Sequence, residues 1–290
     1  MTTLLGKNTY IWTISACLDG DVQRIASALS SCAFQSAILH EANLAHWRST
    51  ARVELVKALK EAGVIPVGGA AVYGYNPEEE GKVAADLCLE YDLPVFVFDA
   101  ETTWDARLKP NTNAVKLLQA FRKRAPDVKA GWCYWSFWKS GKGVSWYPRK
   151  DVIWAAQAEN YGDCDFFMPM TYWGGSTPAE AVSYLEASMT QYREITDKPI
   201  IPIGRAYVGD GGTATAEAIA AFDARARVMG APGTSWWSMQ HALRLPGIWP
   251  ALCELSPFSG TETPTPQPPP AELTLEEKVQ RLWSAHPELS

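Results

Sequence analysis

The sequence predicts a single α/β domain of the (β/α)8, or TIM-barrel, class, on three observations. Short β-rich runs recur about every thirty residues, each followed by a stretch of helical periodicity. Eight such units fit into about 255 residues, the usual size of a closed parallel barrel. The phosphate-binding glycine turn of an open doubly wound sheet is missing after the first run, where Ala16-Cys17-Leu18-Asp19-Gly20-Asp21 has no G-x-G-x-x-G spacing.

The first strand is placed at Thr9–Ser15, the second at Ser36–His40 and the third at Val64–Gly68. Lys60-Glu61-Ala62-Gly63 precedes the third, its glycine able to take the left-handed conformation that stops a helix. Asn76 and Pro77 ahead of three glutamates read as a capped helix start with acids in the first turn. A fourth strand at Val95–Asp99 follows, then a fifth at Ala130–Trp135 and a sixth at Phe166–Tyr172. Thr177 and Pro178 before Ala179-Glu180-Ala181 repeat the capped start and lead to the seventh strand, Ile200–Arg205. Arg227-Val228-Met229-Gly230 ends the last barrel helix before the eighth strand, Thr234–Met239.

Composition narrows the classes of function. The chain has 290 residues, 47% of them apolar and 20% charged, enough material for one sizeable core. A net charge of −6 without a Lys/Arg stripe argues against a nucleic-acid partner. No apolar run reaches the length of a membrane span, so no membrane partner is expected. The first residues, MTTLLGKNTY, do not read as a secretory signal. The expectation is therefore a protein that stays in the cytosol or leaves by another, phage-like route. Six cysteines at 17, 32, 88, 133, 164 and 253 show no C-x-x-C, and buried free thiols are expected. Neither those cysteines nor the 4 histidines show metal-ligand spacing, and no metal or cofactor is implied. The 13 Trp exceed what a core requires and suit a cleft that stacks on sugar rings.

From Ser259 the composition turns to GTETPTPQPPP. The barrel is accordingly assigned to residues 1–258 and a Pro/Thr-rich spacer to 259–271. A short amphipathic helix is assigned to 272–290, opening on the capping box Thr274-Leu275-Glu276-Glu277. Its apolar stripe of Leu275, Val279, Leu282 and Trp283 either docks on the barrel, a second copy or another molecule, or belongs to a frayed tail.

In a parallel barrel the chemistry sits at the carboxyl ends of the strands. The most informative window is Leu93–Trp104. Alternation along the fourth strand puts Val95, Val97, Asp99 and Glu101 on the inner side and Phe96, Phe98 and Ala100 on the outer. Two acids emerging together raise one another's proton affinity, so that one stays protonated as a donor while the other is ionised. Hydrolysis of a glycosidic bond needs this division of labour. A carboxylate that only caps a helix or pairs with Arg107 is the plain alternative. The sixth strand brings Tyr172, a hydrogen-bond donor, and Trp173, a stacking face, to the same rim. The adjacent Trp236 and Trp237 on the eighth strand supply one inward indole in either phase, with Gln240 and His241 at the mouth. Glu41 is a third candidate carboxylate and Arg205 a candidate cation for an acid or the substrate. Trp132, Trp135 and Trp138, with Trp146 beyond, form a candidate stacking platform, Trp135 being the residue of that group assigned to the substrate.

These residues carry a resemblance. Phe98-Asp99-Ala100-Glu101 resembles the terminal Asp-x-Glu of the family 18 chitinase motif, and Met170-Thr171-Tyr172 resembles that family's Met-x-Tyr on strand six. Trp236-Trp237 stands where those enzymes keep a floor tryptophan. The Asp-x-Glu after Pro94-Val95-Phe96 also resembles the family 25 lysozymes, whose barrels cleave peptidoglycan. The resemblance implies Glu101 as general acid, Asp99 as its partner and Tyr172 as donor to a substrate acetamido group, whose own oxygen attacks the anomeric carbon. The chain departs from both patterns. Chitinases carry further aspartates where Val95 and Val97 stand, and an Asp where Trp173 stands; family 25 lysozymes have an Asp on strand one.

The expected function is a glycoside hydrolase acting on an N-acetylhexosamine polysaccharide, peptidoglycan or chitin-like, as in a cell-wall-degrading endolysin. The alternative is a noncatalytic glycan-binding or assembly barrel with an aromatic cleft. A lyase or isomerase of this fold would need a Lys or metal set that is not evident.

Overall fold

The computed structural model describes residues 5–136, 150–157 and 163–258. Trp138, Trp146, the spacer and the C-terminal helix expected from the sequence lie outside them.

Eight parallel strands close into a barrel: β1 Lys7–Ile11, β2 Ser36–Glu41, β3 Ile65–Val72, β4 Val95–Ala100, β5 Lys129–Trp135, β6 Phe166–Met170, β7 Ile203–Arg205 and β8 Thr234–Trp237. Each pairs with its neighbour in chain order, and β8 returns to β1. The helices between them are α1 Val22–Ser31, α2 Thr50–Glu61, α3 Pro77–Tyr91, α4 Pro110–Arg124, α5 Lys150–Gln157, α6 Pro178–Arg193 and α7 Ala216–Val228, with α8 Ile248–Glu254 after β8.

The local signals act as expected. Asn76 Oδ1 accepts from the Glu79 N–H at the start of α3, and Thr177 and Glu180 form a reciprocal capping box on α6. Gly63 and Gly230 take φ of +74° and +76°, left-handed values that end α2 and α7 at no Cβ cost.

Alternation sorts side chains into two cores. Val67, Val95, Val97, Phe166 and Met168 fill the barrel, while Phe96, Phe98, Phe121, Trp104 and Trp132 pack between the barrel and its helices. The edge-on contacts of Trp104 with Trp132 and of Phe98 with Phe121 place much of the tryptophan content in this outer layer.

Two expectations are corrected. β1 begins at Lys7, earlier than Thr9, and Ile14–Ala16 is a 3-10 turn. The charge at Lys7 hides the strand start from a pattern reading, but its Nζ donates to the carbonyls of Cys32 at 2.6 Å and Leu255 at 2.7 Å. Those acceptors let a lysine be buried, although burial lowers its pKa to about 8. The cysteines are also not all free. Cys32 and Cys253, 221 residues apart in sequence, form a disulfide that ties the end of α1 to α8, whereas Cys17, Cys88, Cys133 and Cys164 are buried thiols. Spacing along a chain cannot show a pair that only barrel closure brings together.

Candidate active site

β4 emerges at the carboxyl end of the barrel with the expected parity. Val95 and Val97 lie in the interior core, Asp99 follows them on the same side, and Glu101 stands just past the strand at the rim. Asp99 is 5% exposed, and its Oδ2 lies 2.9 Å from Nε2 of His40 on β2. Glu101 has no ion-pair or hydrogen-bond partner among the described residues. Burial, followed by the charge of Asp99, pushes its carboxyl up to about 7. One acid, its pKa raised toward neutrality although the residue keeps contact with solvent at the rim, thus stands beside another that a histidine engages.

The pair opens on a cavity of about 120 Å³ lined by Tyr10, Asp99, Glu101, Cys133, Met170, Tyr172 and Trp237. Trp237 is flanked by Tyr10 at 5.0 Å and by the half-exposed Trp12 at 5.9 Å between ring centres. The hydroxyl of Tyr10 and Oδ1 of Asp99 are buried on residues that line the cavity, and the Cys133 thiol is the polar neighbour that both share. The Tyr172 ring meets Tyr207 edge-on at 5.6 Å, and burial raises its hydroxyl pKa well above the ordinary value. Tyr172 therefore remains a donor through the neutral range. Burial, then the charge of Asp99, does the same to the Cys133 thiol.

The other residues singled out from sequence are placed elsewhere. Trp236 and Trp173 are fully buried in the outer layer, each packed on Phe222 of α7, so neither offers a face to the cavity. For Trp236 the reason is strand phase: Trp236 and Trp237 alternate, and only the second turns inward. Arg205 is fully buried too, its guanidinium donating to the carbonyls of Gly175 and Gly209 and stacking 5.2 Å from Trp173. It ties the loops after β6 and β7 instead of meeting an acid. Glu41 falls on the outward phase of β2 and pairs with Arg52 at 2.9 Å. Trp135 donates its indole N–H to Asp105 at 3.0 Å and does not line the cavity. Gln240 is buried, its Oε1 accepting from the Trp12 backbone N–H at 3.4 Å, so it braces the loop carrying Trp12.

A stability prediction follows for Arg205. Arg205→Ala takes a donor from the part-buried carbonyls of Gly175 and Gly209, the first of which keeps the Thr213 N–H, and leaves a hole against the buried Trp173, so the protein is expected to lose about 2–4 kcal/mol. Chemical denaturation checks the loss.

Sequence reasoning passed over Tyr10, Trp12, His40 and Cys133 as cavity residues, and took Met170 only as part of a motif. Parity could have found His40, because Ile38 in the interior core fixes the phase of β2 and makes residue 40, not 41, the inward one. Tyr10 and Trp12 become legible once β1 is set at its true start.

No protein-family model matches this chain, and no curated protein is significantly similar to it. Solved structures share its fold at low identity. A class V chitinase from Pseudomonas fluorescens Pf-5 is 13% identical with a TM-score of 0.60, over 86% of this chain and 98% of that one. Active domain 2 of the thermostable chitinase from Pyrococcus furiosus is 17% identical with a TM-score of 0.57, over 80% and 83%. The β-mannanase of the blue mussel Mytilus edulis is 9% identical with a TM-score of 0.58, over 86% and 91%. At these identities the likeness establishes the (β/α)8 architecture.

Proposed function

We propose that this protein is a glycoside hydrolase that cleaves N-acetylhexosamine polymers, chitin-like or peptidoglycan, with Glu101 as general acid. One observation carries the reading: a carboxyl raised to about 7 stands at the barrel mouth, beside the buried Asp99, above a cavity walled by Trp237 and Tyr172. Chitinases among the solved structures of the same fold support it.

In this reading a sugar packs on Trp237, and its acetamido group enters the cavity. Asp99 accepts from the acetamido N–H and Tyr172 donates to the carbonyl, aiming that oxygen at the anomeric carbon. Glu101 gives its proton to the departing glycosidic oxygen while the acetamido oxygen forms the new bond to carbon. The resulting carboxylate then takes a proton from water, which opens the cyclic intermediate and returns Glu101 to its acid form. Two displacements at one carbon retain the configuration. A buried Asp99 engaged by His40 suits the holding role, since no enzyme nucleophile is needed.

Glu101 has no ion-pair partner among the described residues, and this favours catalysis over the alternative of a noncatalytic glycan-binding barrel. The test is incubation with N-acetylglucosamine oligomers and with peptidoglycan, products being identified by mass spectrometry and the first-formed anomer by NMR. Retained-configuration products from either glycan support the reading, and binding without cleavage of both overturns it.

A further inference from the structure

We infer that His40 is a positioning residue for this reaction: its Nε2–H holds Oδ2 of Asp99 and so turns the second oxygen, Oδ1, to the cavity that receives the substrate. The inference rests on the hydrolase reading and adds a residue from a strand that supplies neither acid.

The contact depends on what lies between the two side chains. His40 is on β2 and Asp99 on β4, with β3 intervening, so an ordinary inward side chain on β3 would separate them. The β3 residues in register with His40 and with Asp99 are Gly69 and Ala71. A Cβ added at Gly69 would come within 2.8 Å of Ile38 Cγ2, so the site admits no larger residue without movement. Over this low stretch the imidazole and the carboxylate meet at 2.9 Å. Both are buried, at 4% and 5% exposure. The ring is fenced edge-on by Tyr10 at 5.9 Å and by Trp237 at 5.5 Å, two residues that also wall the cavity.

The hydrogen-bond inventory gives the contact its direction. Nδ1 of His40 has no partner among the described residues, and a proton there would be a buried donor without an acceptor. The proton therefore belongs on Nε2, facing Asp99. With Oδ2 engaged, Oδ1 is the oxygen of Asp99 left for a second donor, on a residue that lines the cavity beside the Cys133 thiol. An unheld carboxylate can rotate about its last torsion and present either oxygen, or neither. A held one presents a single acceptor at a fixed point, which is what orienting a substrate N–H requires.

The test compares two substitutions with unequal chemistry and similar packing loss. His40→Leu removes the donor, and kcat on an N-acetylglucosamine oligomer is expected to fall about 10–100-fold with KM changed less than about threefold. His40→Gln carries an amide N–H to the place of Nε2 and is expected to recover kcat to within about fivefold of the unsubstituted enzyme, although both variants lose similar Tm. Nitrogen-15 NMR of the full chain, which needs no substrate, is expected to show His40 protonated at Nε2. Equal kcat for the Leu and Gln variants, or a ring protonated at Nδ1 with Nε2 bare, overturns the inference. Absence of turnover by the unsubstituted protein, with the Nε2–H ring present, overturns the hydrolase reading and with it the positioning role, while the pairing of His40 with Asp99 stands.

Discussion

Replacing Glu101 with glutamine is expected to lower turnover of a labelled N-acetylglucosamine oligomer by about 10²–10⁴-fold, the usual contribution of a positioned proton donor. The amide keeps the shape and loses the proton, so binding should survive. The proposed activity of the unsubstituted protein should fall as pH rises through about 7, where Glu101 gives up its proton. Asp99→Asn removes the neighbouring charge that favours the protonated form, and whatever activity remains should show that alkaline limb displaced toward lower pH. Stability adds an independent check. The folded-state pKa of Glu101 lies above the ordinary glutamate value of 4.5, so its favourable contribution is complete below about 4.5 and is lost as pH rises through about 7. Glutamine does not titrate. The Tm of Glu101→Gln relative to the unsubstituted protein should therefore climb between those two values and level off above them. A pH series of kcat/KM beside thermal melts measures both effects. Full activity in the glutamine variant would remove Glu101 from its role.

The largest expected effect on stability comes from the Cys32–Cys253 bridge, which closes a sequence separation of 221 residues. Cross-links of this kind contribute about 2–5 kcal/mol, chiefly by restricting the unfolded chain. At about 2–4 °C per kcal/mol for a domain near this size, Cys32→Ala with Cys253→Ala should lower Tm by roughly 5–15 °C. The bridge and the Lys7 ammonium act on the same seam, since Lys7 donates to Cys32 and Leu255 on the two sides of it. Thiol titration gives the direct count. In denaturant without reductant the described cysteines should yield four thiols, from Cys17, Cys88, Cys133 and Cys164, and two more after reduction. Six thiols before reduction, with no change of Tm in the double variant, would refute the assignment.

Local pattern carried a large share of this fold. The capped starts at Asn76 and Thr177 and the stops at Gly63 and Gly230 depend on neighbours within a few residues, and all four are helix ends in the structure. The parity of β4 was likewise legible, because four consecutive apolar residues bounded by Pro94 and Asp99 leave little choice of phase. The rim was harder to read. Trp236 and Trp237 are equivalent in composition, and which one faces inward depends on the pairing of β8 with β1 and β7. Arg205 and Glu41 sit at strand ends where a site is expected, yet each is consumed by a partner from elsewhere: the loop carbonyls for one, Arg52 for the other.

By itself the sequence determined the eight βα units, their order, and the acid pair that leaves β4 on one side, since periodicity and capping are short-range properties of the chain. Tertiary structure alone decided that His40 meets Asp99 across Gly69 and Ala71, that Cys32 reaches Cys253, and that Trp237 instead of Trp236 or Trp173 walls the cavity. These contacts join residues from strands or helices far apart in sequence, and their geometry exists only once the barrel has closed and set the register of one strand against the next.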